Sequence, residues 1–502
     1  MGSGATPRDD PPVVSPATVG AWRDLREVLG MSLPVIVAMA SHTMMGVVDS
    51  VMLAAHNPYE LAASGAAGVM AFVVAAFIFG TMNCTSTFVS QSIGRGESEE
   101  CARYTWQGVY FGLAAQAAVV PLMIAPHWAF GAFGLDAKVE GPAGVYFGLR
   151  MAHVAGSAVY ASLSSFFQGI GRPGIPMWAA LVANVFNAAA DYALIFGHWG
   201  FPEMGIAGAA IATVAASYLQ VLLLLAVFLS RPMHEKFRTR SHPGFDAARF
   251  GRLMAIGAPS GLTFMLDVAS WAVFTNALIG RLGPNVLAAN TAVHAITSLS
   301  FMPAVGMNKG ITVLVGQYIG RRDIPAAKRM TYLGLKLAMA YMFTMGVIFV
   351  LFPKPLMSFF VSSDPKVLAS DRAAILDAGR TILMLAAVYQ AFDALWIVSI
   401  GALRGAGDTR FPAVVCVGMA WGFLLPLGLV LTRTLGWGYV GAWVAAAVHI
   451  ALVGLILFWR FASEAWRKID IFQGVGGQPS ESSPGIPDAR FQIPDSGSQG
   501  RE

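Results

Sequence analysis

The sequence predicts an all-α integral membrane protein, and three observations carry that prediction. The composition is apolar, twelve segments are long enough to cross a bilayer, and the second half of the chain repeats the first. Of 502 residues, 56% are hydrophobic and 12% charged, with a mean hydropathy of +0.61, which lies outside the usual range of soluble domains. A helix needs about 20 predominantly apolar residues to cross roughly 30 Å of hydrocarbon. Segments near 28–55, 61–91, 104–126, 144–168, 174–197, 204–229, 252–281, 287–319, 328–352, 378–402, 411–433 and 437–461 meet that requirement.

Taken in order, a polar leader over 1–27 contains Pro11, Pro12 and Pro16. The first apolar segment lacks the short core and cleavage site of a signal peptide, so it is expected to remain as a helix. Helices one to six make a first lobe over 28–229, and a basic linker over 230–250 carries Arg231, Lys236, Arg238 and Arg240. Helices seven to twelve make a second lobe over 251–461. Residues 462–502, rich in Gly, Ser, Pro and Gln, show no apolar periodicity and are expected to be a disordered cytoplasmic tail. Lys and Arg gather on the side that carries both termini, which assigns that side to the cytoplasm. The net charge of +5 suits loops beside anionic headgroups and calls for no nucleic acid. Cys84, Cys101 and Cys416 are too few and too deep in apolar segments for a disulfide framework, and read as small core residues.

The repeat is explicit. FVSQSIGRG from Phe88 matches LVGQYIGRR from Leu314, and ELAASGAAG from Glu60 matches VLAANTAVH from Val286, both at a shift of 226. QGIGRPGIP from Gln168 matches RGAGDTRFP from Arg404 at a shift of 236, the extra ten residues falling in the loop around Asp364. Six helices recur as six, an even number, so the two pseudo-symmetric bundles enter the membrane from the same side and their repeat axis stands along the bilayer normal. Parallel repeats of this kind are a recurring transporter plan, with binding near the midplane.

Within this apolar frame, NVFNAAADYALIFG puts Asn184, Asn187 and Asp191 on one helix face. An aspartate at the centre of a spanning helix costs roughly 2.5 to 3.5 kcal/mol on insertion scales, so it normally faces an interior cavity and marks an ion or proton path. With Asp49 and Thr213, Asn187 and Asp191 would bring two carboxylates and neutral oxygens to one pocket, the chemistry of a sodium ion or a shared proton. With Pro34 set against Pro259, GIAGAAIAT against GYVGAWVAA, and the shift of 236 for the fifth helix, the corresponding positions of the second half hold Phe274, Phe423, Leu427 and Ala446. A polar group needed only to pack the repeat would tend to recur, which weighs against the alternative of buried Asp and Asn acting as helix glue. Two neighbouring carboxylates cannot readily both stay ionised; sodium or a proton relieves the repulsion, so the two could compete for one site.

The second half has its own carboxylates, Asp267 in LTFMLDVAS and Asp393 in YQAFDALWI, with Tyr389 one turn before Asp393. They make a second cation or substrate site or, with Lys309 of GMNKGIT neutralising one of them, a salt-bridged structural cluster. Pro34 in SLPVIV and Pro259 in GAPSGL interrupt the hydrogen-bond ladders of helices one and seven, and Pro34 is the candidate moving part. His42, His153, His294 and His449 read as satisfied interior residues. The 24 Met and 32 Phe suit an adaptable apolar cavity or lipid contact. GIGRPG over 169–174 fits G-x-G-x-x-G, yet it joins two apolar helices and follows no strand, so a tight turn is expected rather than a dinucleotide site. The sequence offers no zinc spacing, P-loop or nucleophile elbow. An ATP-driven pump, an enzyme and a bound cofactor are therefore not expected, nor any metal beyond sodium at the first-lobe set.

Two lobes of six helices, ALRGAGDTR at 402–410, VGQYIGRRD at 315–323 and NVFNAAADYALIFG together resemble the multidrug and toxic compound extrusion (MATE) transporters, a MOP-type fold, across about residues 25 to 465. The resemblance implies a secondary antiporter of the inner (plasma) membrane, a multi-pass monomer that exports small organic, often cationic or amphipathic, compounds against an inward gradient of sodium ions or protons, with membrane lipids as its surroundings. Asp49, Asn187, Asp191 and Thr213 match the first-lobe cation site of the DinF-like branch, and Pro34 matches that branch's bending proline. Asp267 takes the place of a glutamate in the seventh helix of NorM-like and eukaryotic members, and Asp393 matches a tenth-helix aspartate of the NorM-like branch. The chain thus mixes features of both branches, and Lys309 lies outside both patterns. The rival reading is a lipid-linked oligosaccharide flippase of the wider superfamily, which would want a basic cleft for pyrophosphate and would draw on Lys309. An ion channel is a third.

Overall fold

The computed structural model describes residues 16–124, 137–360 and 369–472. Within them the chain is helical and contains no strand. Twelve membrane-length segments follow one another: α1 (Pro16–His56), α2 (Pro58–Asn83 continuing as Thr85–Arg95), α3 (Ser98–Ile124), α4 (Ala137–Met151 continuing as Val154–Gly169), α5 (Gly174–Phe196), α6 (Ile206–Phe228), α7 (Ala247–Val273, then a wide π turn over Phe274–Ile279), α8 (Pro284–Gly320), α9 (Ile324–Leu351), α10 (Ala369–Gly405), α11 (Arg410–Met419, continuing through two π turns to Thr434) and α12 (Gly438–Ala462). Ten of them are single apolar helices long enough to cross a bilayer. The other two are α4, interrupted at Ala152 and His153, and α8, whose Asn285, Asn290, Asn308, Lys309 and Gln317 dilute its apolarity. The insertion expected around Asp364 lies outside the described residues, as do residues 1–15 and 473–502.

Local chemistry sets the helix ends. The Asn57 side chain accepts from the Tyr59 amide, with Pro58 in the first turn of α2, and Asp246 and Asp323 accept from Arg249 and Ala326 at the starts of α7 and α9, so orphan amides are capped. The three cysteines are free and buried.

The lobes repeat one packing scheme. In the first, α1 lies against α5, α5 against α6, and α4 against both α2 and α3; in the second, α7 lies against α11, α11 against α12, and α10 against both α8 and α9. Between lobes, α1 crosses α8 and α2 crosses α7, the same contact seen twice about the repeat axis. These crossings are tightest toward the end of the molecule that carries the termini. A Cβ on Gly94 would sit 2.2 Å from the Gln317 carbonyl oxygen, and one on Gly320 would sit 2.3 Å from that of Gln91. Gln91 Nε2 donates to Gly405 O and Gln317 Nε2 donates to Gly169 O, both at 2.9 Å. The repeated Q-x-x-G motifs are therefore the two halves of one seal: glycine lets the backbones touch, and each glutamine caps the turn of the opposite lobe. Gly171, at φ +81, makes the turn of GIGRPG. Farther from the termini, the second lobe has a core drawn entirely from itself, including Phe274, Tyr389, Trp443 and Ala446.

The expected boundaries of the leader and the tail change. α1 begins at Pro16, and its first turns are tied down because Asp24 pairs with Arg329 at 2.7 Å and Glu27 accepts from the Tyr318 hydroxyl at 2.9 Å. At the other terminus Ser463–Phe472, expected as tail, instead crosses from α12 to the first lobe. Trp466 and Ile471 are buried, Asp470 pairs with Arg95 at 3.0 Å, and Phe472 lies beneath the Arg95 guanidinium at 3.9 Å and edge-on to Phe88 and Tyr104. Its apolar residues are too few to register as a periodic pattern, yet they fill the junction between lobes. The linker also folds back: Arg231–Phe237 is a short helix whose Phe237 meets Phe166, and Thr239 O and Pro243 O accept from Trp106 and Tyr110.

Candidate functional site

Asp49 on α1, Asn187 and Asp191 on α5 and Thr213 on α6 stand together inside the first lobe. The α1–α5 and α5–α6 contacts bring them there, and all four are buried, Asp191 at 0% and Asn187 at 1% exposure. Thr213 Oγ1 donates to Asp49 Oδ2 at 3.1 Å and approaches its own helix carbonyl, Ala209 O, at 2.8 Å. Beyond that contact the pocket is unsatisfied. Asp49 Oδ1, both oxygens of Asp191, and Asn187 Oδ1 and Nδ2 are buried without a hydrogen-bond partner. The carboxyl groups of Asp49 and Asp191 are close enough to act directly on one another.

Buried carboxylate oxygens without partners are costly, the more so when two carboxylates adjoin. Two carboxylates, a carboxamide oxygen and a hydroxyl form a hard-oxygen set, which fits an alkali cation or a shared proton and lacks the nitrogen and sulfur ligands of a transition-metal site. Sequence reasoning missed two neighbours on α4, Tyr146 and Arg150. Tyr146 is buried and feels both carboxylates, and Arg150 acts electrostatically on Asp49. Neither stands out in the sequence, because one basic residue near a helix end and one tyrosine are ordinary membrane-protein features. Asn184 takes a different part: its Nδ2 donates to Ser41 O and Oγ, fastening α5 to α1.

Pro34 lies within α1, whose helix runs on past it. Ser32 before it and Ile36 after it press into α8, where a Cβ on Gly310 or Gly306 would come within 2.3 Å of their side chains. In the far half of the helix, Ser41 and Asp49 pack into the first lobe. The opposite face of that far half, including Gly46, Val47, Ser50 and Ala54, lines an open groove of about 420 Å³ with Leu61.

In the second lobe, the counterpart of the cation pocket is hydrocarbon. Phe274 and Ala446 are fully buried, and Leu427 packs against the same core. Asp393 and Tyr389 are buried and Asp267 is half-buried, with the three linked electrostatically in the order Tyr389, Asp393, Asp267. Among the described residues no salt bridge joins either carboxylate to a cation. The expectation that Lys309 neutralises one of them is corrected, because Lys309 Nζ instead donates to Asn83 Oδ1 on α2 at 3.0 Å. α8 presents this face to α2 and its other faces to α1 and α10, which carries the ammonium across the lobe boundary. The histidines also divide. His153 is satisfied by Arg150 O and Ser157 Oγ. His42 meets the Tyr160 hydroxyl at 3.2 Å, His294 is exposed rather than interior, and His449 keeps a buried Nδ1 without a partner.

Comparison with known proteins fits this architecture. The profile of the MatE family matches residues 34–193 and 259–430, one block in each lobe. A probable multidrug resistance protein NorM of Brucella suis biovar 1 (strain 1330) is 35% identical over 318 residues, 62% of this chain and 64% of that protein, so the match spans less than two thirds of that relative. A probable multidrug resistance protein NorM of Rhizobium meliloti (strain 1021) is 29% identical over 449 residues, 87% of this chain and 92% of that one. Among solved structures, a MOP superfamily transporter from Pyrococcus furiosus, described as having a binding pocket of reversed polarity, superposes with a TM-score of 0.80 over 89% of this chain and 97% of its own at 18% identity. A MATE in the bent conformation gives 0.79 over 89% and 96% at the same identity. With a family match over more than half its length and the twelve-helix, two-lobe fold of these structures, the chain belongs to the MatE family and is a MATE family transporter.

Proposed function

We propose that this transporter exports small organic compounds in exchange for sodium ions or protons bound at Asp49, Asn187, Asp191 and Thr213. One observation carries the reading: two adjacent buried carboxylates with three of their four oxygens lacking a partner, where the repeated lobe has only hydrocarbon. The printed names of the relatives, multidrug resistance proteins, support the export of drugs. Basic residues around the termini support a plasma-membrane orientation with both termini cytoplasmic, so that the glycine seal closes the cytoplasmic end.

The packing of α1 supports one coupling route. The far half of α1 packs around the cation pocket, and the stretch from Ser32 to Ile36 is keyed into α8 of the other lobe. Pro34 lies within that keyed stretch, where it has no amide to donate and weakens the ladder. Neutralising Asp49 and Asp191 alters how the far half packs on α5 and α6, and a bend at Pro34 passes that change to the seal. Export then follows from linkage: the outward-facing state binds the coupling cation more favourably, and cation and compound oppose one another in affinity.

The test is efflux of ethidium from proteoliposomes with sodium and proton gradients imposed separately. Asp191→Asn should abolish gradient-driven efflux. Unchanged coupling in that variant would remove Asp191 from the mechanism.

A further inference from the structure

We propose that Lys309 binds an anionic group of the exported compound, so that the cleft selects amphoteric molecules rather than purely cationic ones. The inference rests on the exporter reading above and names its substrate class. Lys309 and Asn83 are separated by 226 residues, the repeat shift itself, so they are mates in the two lobes and meet on the repeat axis. The mate is a neutral carboxamide, which means that packing at this position does not require a charge. An ammonium has three donors. Here one reaches Asn83 Oδ1, and among the described residues no carboxylate pairs with the group.

The charged group that acts on Lys309 is another cation. Arg404 lies within electrostatic reach of Lys309, and Asp267 is in turn within reach of Arg404. α1 crosses α8 at Gly306 and Gly310, α10 lies against α8 at Asn308 and Thr312, and α2 faces Lys309 itself. The partial exposure of Lys309 is therefore exposure to the space these helices enclose and not to lipid. An intramembrane cation held by one neutral hydrogen bond is costly unless a counter-charge visits, and a carboxylate or phosphate on the compound would take the two remaining donors.

Rhodamine B, which carries a free carboxylate and a delocalised cation, and its ethyl ester, which keeps only the cation, form a matched pair of probes. Gradient-driven efflux of both is measured from proteoliposomes holding the wild-type protein, Lys309→Met or Lys309→Arg. Lys309→Met should lower rhodamine B efflux about tenfold or more, the loss of one charge-assisted hydrogen bond, and leave the ester near its wild-type rate, with Lys309→Arg restoring the acid. The ester reports on folding in the same variant. Equal loss for both dyes, or loss for neither, overturns the inference. Wild-type protein that moves the ester but not the acid overturns it while leaving the exporter reading intact; protein that moves neither overturns both.

Discussion

The first-lobe pocket makes a counter-intuitive stability prediction: removing a buried acidic residue should strengthen the protein when the coupling cation is absent. Asp191 is 0% exposed and both its oxygens lack partners, beside Asp49 with a single threonine contact. An uncompensated buried charge of this kind costs about 3 to 5 kcal/mol. Asp191→Asn deletes the charge at nearly constant volume and supplies an amide donor for Asp49. In choline buffer at alkaline pH the variant should therefore exceed wild type by about 3 kcal/mol. A coupling cation present at a hundredfold its Kd stabilises wild type by about 2.7 kcal/mol and should add nothing to the variant, so the two converge. Equilibrium unfolding in mixed micelles, followed by tryptophan fluorescence while choline is exchanged for sodium at constant ionic strength and then for acid, reads both effects. An Asp191→Asn protein that keeps the wild-type cation response, or is weaker than wild type without cation, would falsify the assignment.

Three further outcomes are expected. Gly94→Ala sets a methyl group 2.2 Å from the Gln317 carbonyl oxygen and should prise open the terminal seal; buried Cys84, whose thiol meets Ile256 O beside that seal, should then react faster with a water-soluble maleimide, and an unchanged rate contradicts the seal. Phe472→Ala removes the ring beneath Arg95 and should cost about 1 to 2 kcal/mol of stability, with Arg95→Ala adding little in that background; full additivity in a double-mutant cycle would show that the two do not act together. Asp246→Ala should cost about 1 kcal/mol as the loss of the α7 cap. The Arg249 backbone amide, followed by its guanidinium, holds the Asp246 carboxyl below the usual range, so the native state gains from ionisation, and this stabilisation should be present above about pH 4 and be lost as pH falls through the depressed value. A stability difference between wild type and Asp246→Ala that persists unchanged in strong acid would refute it.

What the sequence by itself determined about this protein is whatever a strong local or periodic signal encodes. Twelve apolar runs, a repeat at 226 and 236 residues, and polar side chains at helical spacing on α5 are properties of the chain in any conformation, because lipid forces each run to close its own backbone hydrogen bonds. The asymmetry between Asp191 and its hydrocarbon counterpart was legible for the same reason. Only the tertiary structure decided which polar groups meet. Lys309 could equally have faced Asp267 or Asp393, and it is the crossing of α8 over α2 that turns it to Asn83. Tyr146 and Arg150 reach the pocket through α4, and residues 463–472 leave the expected tail to bind Arg95 and Phe88. Such contacts depend on crossing angles and on close approaches set by single glycines, quantities that arise when helices pack and that no individual segment carries alone.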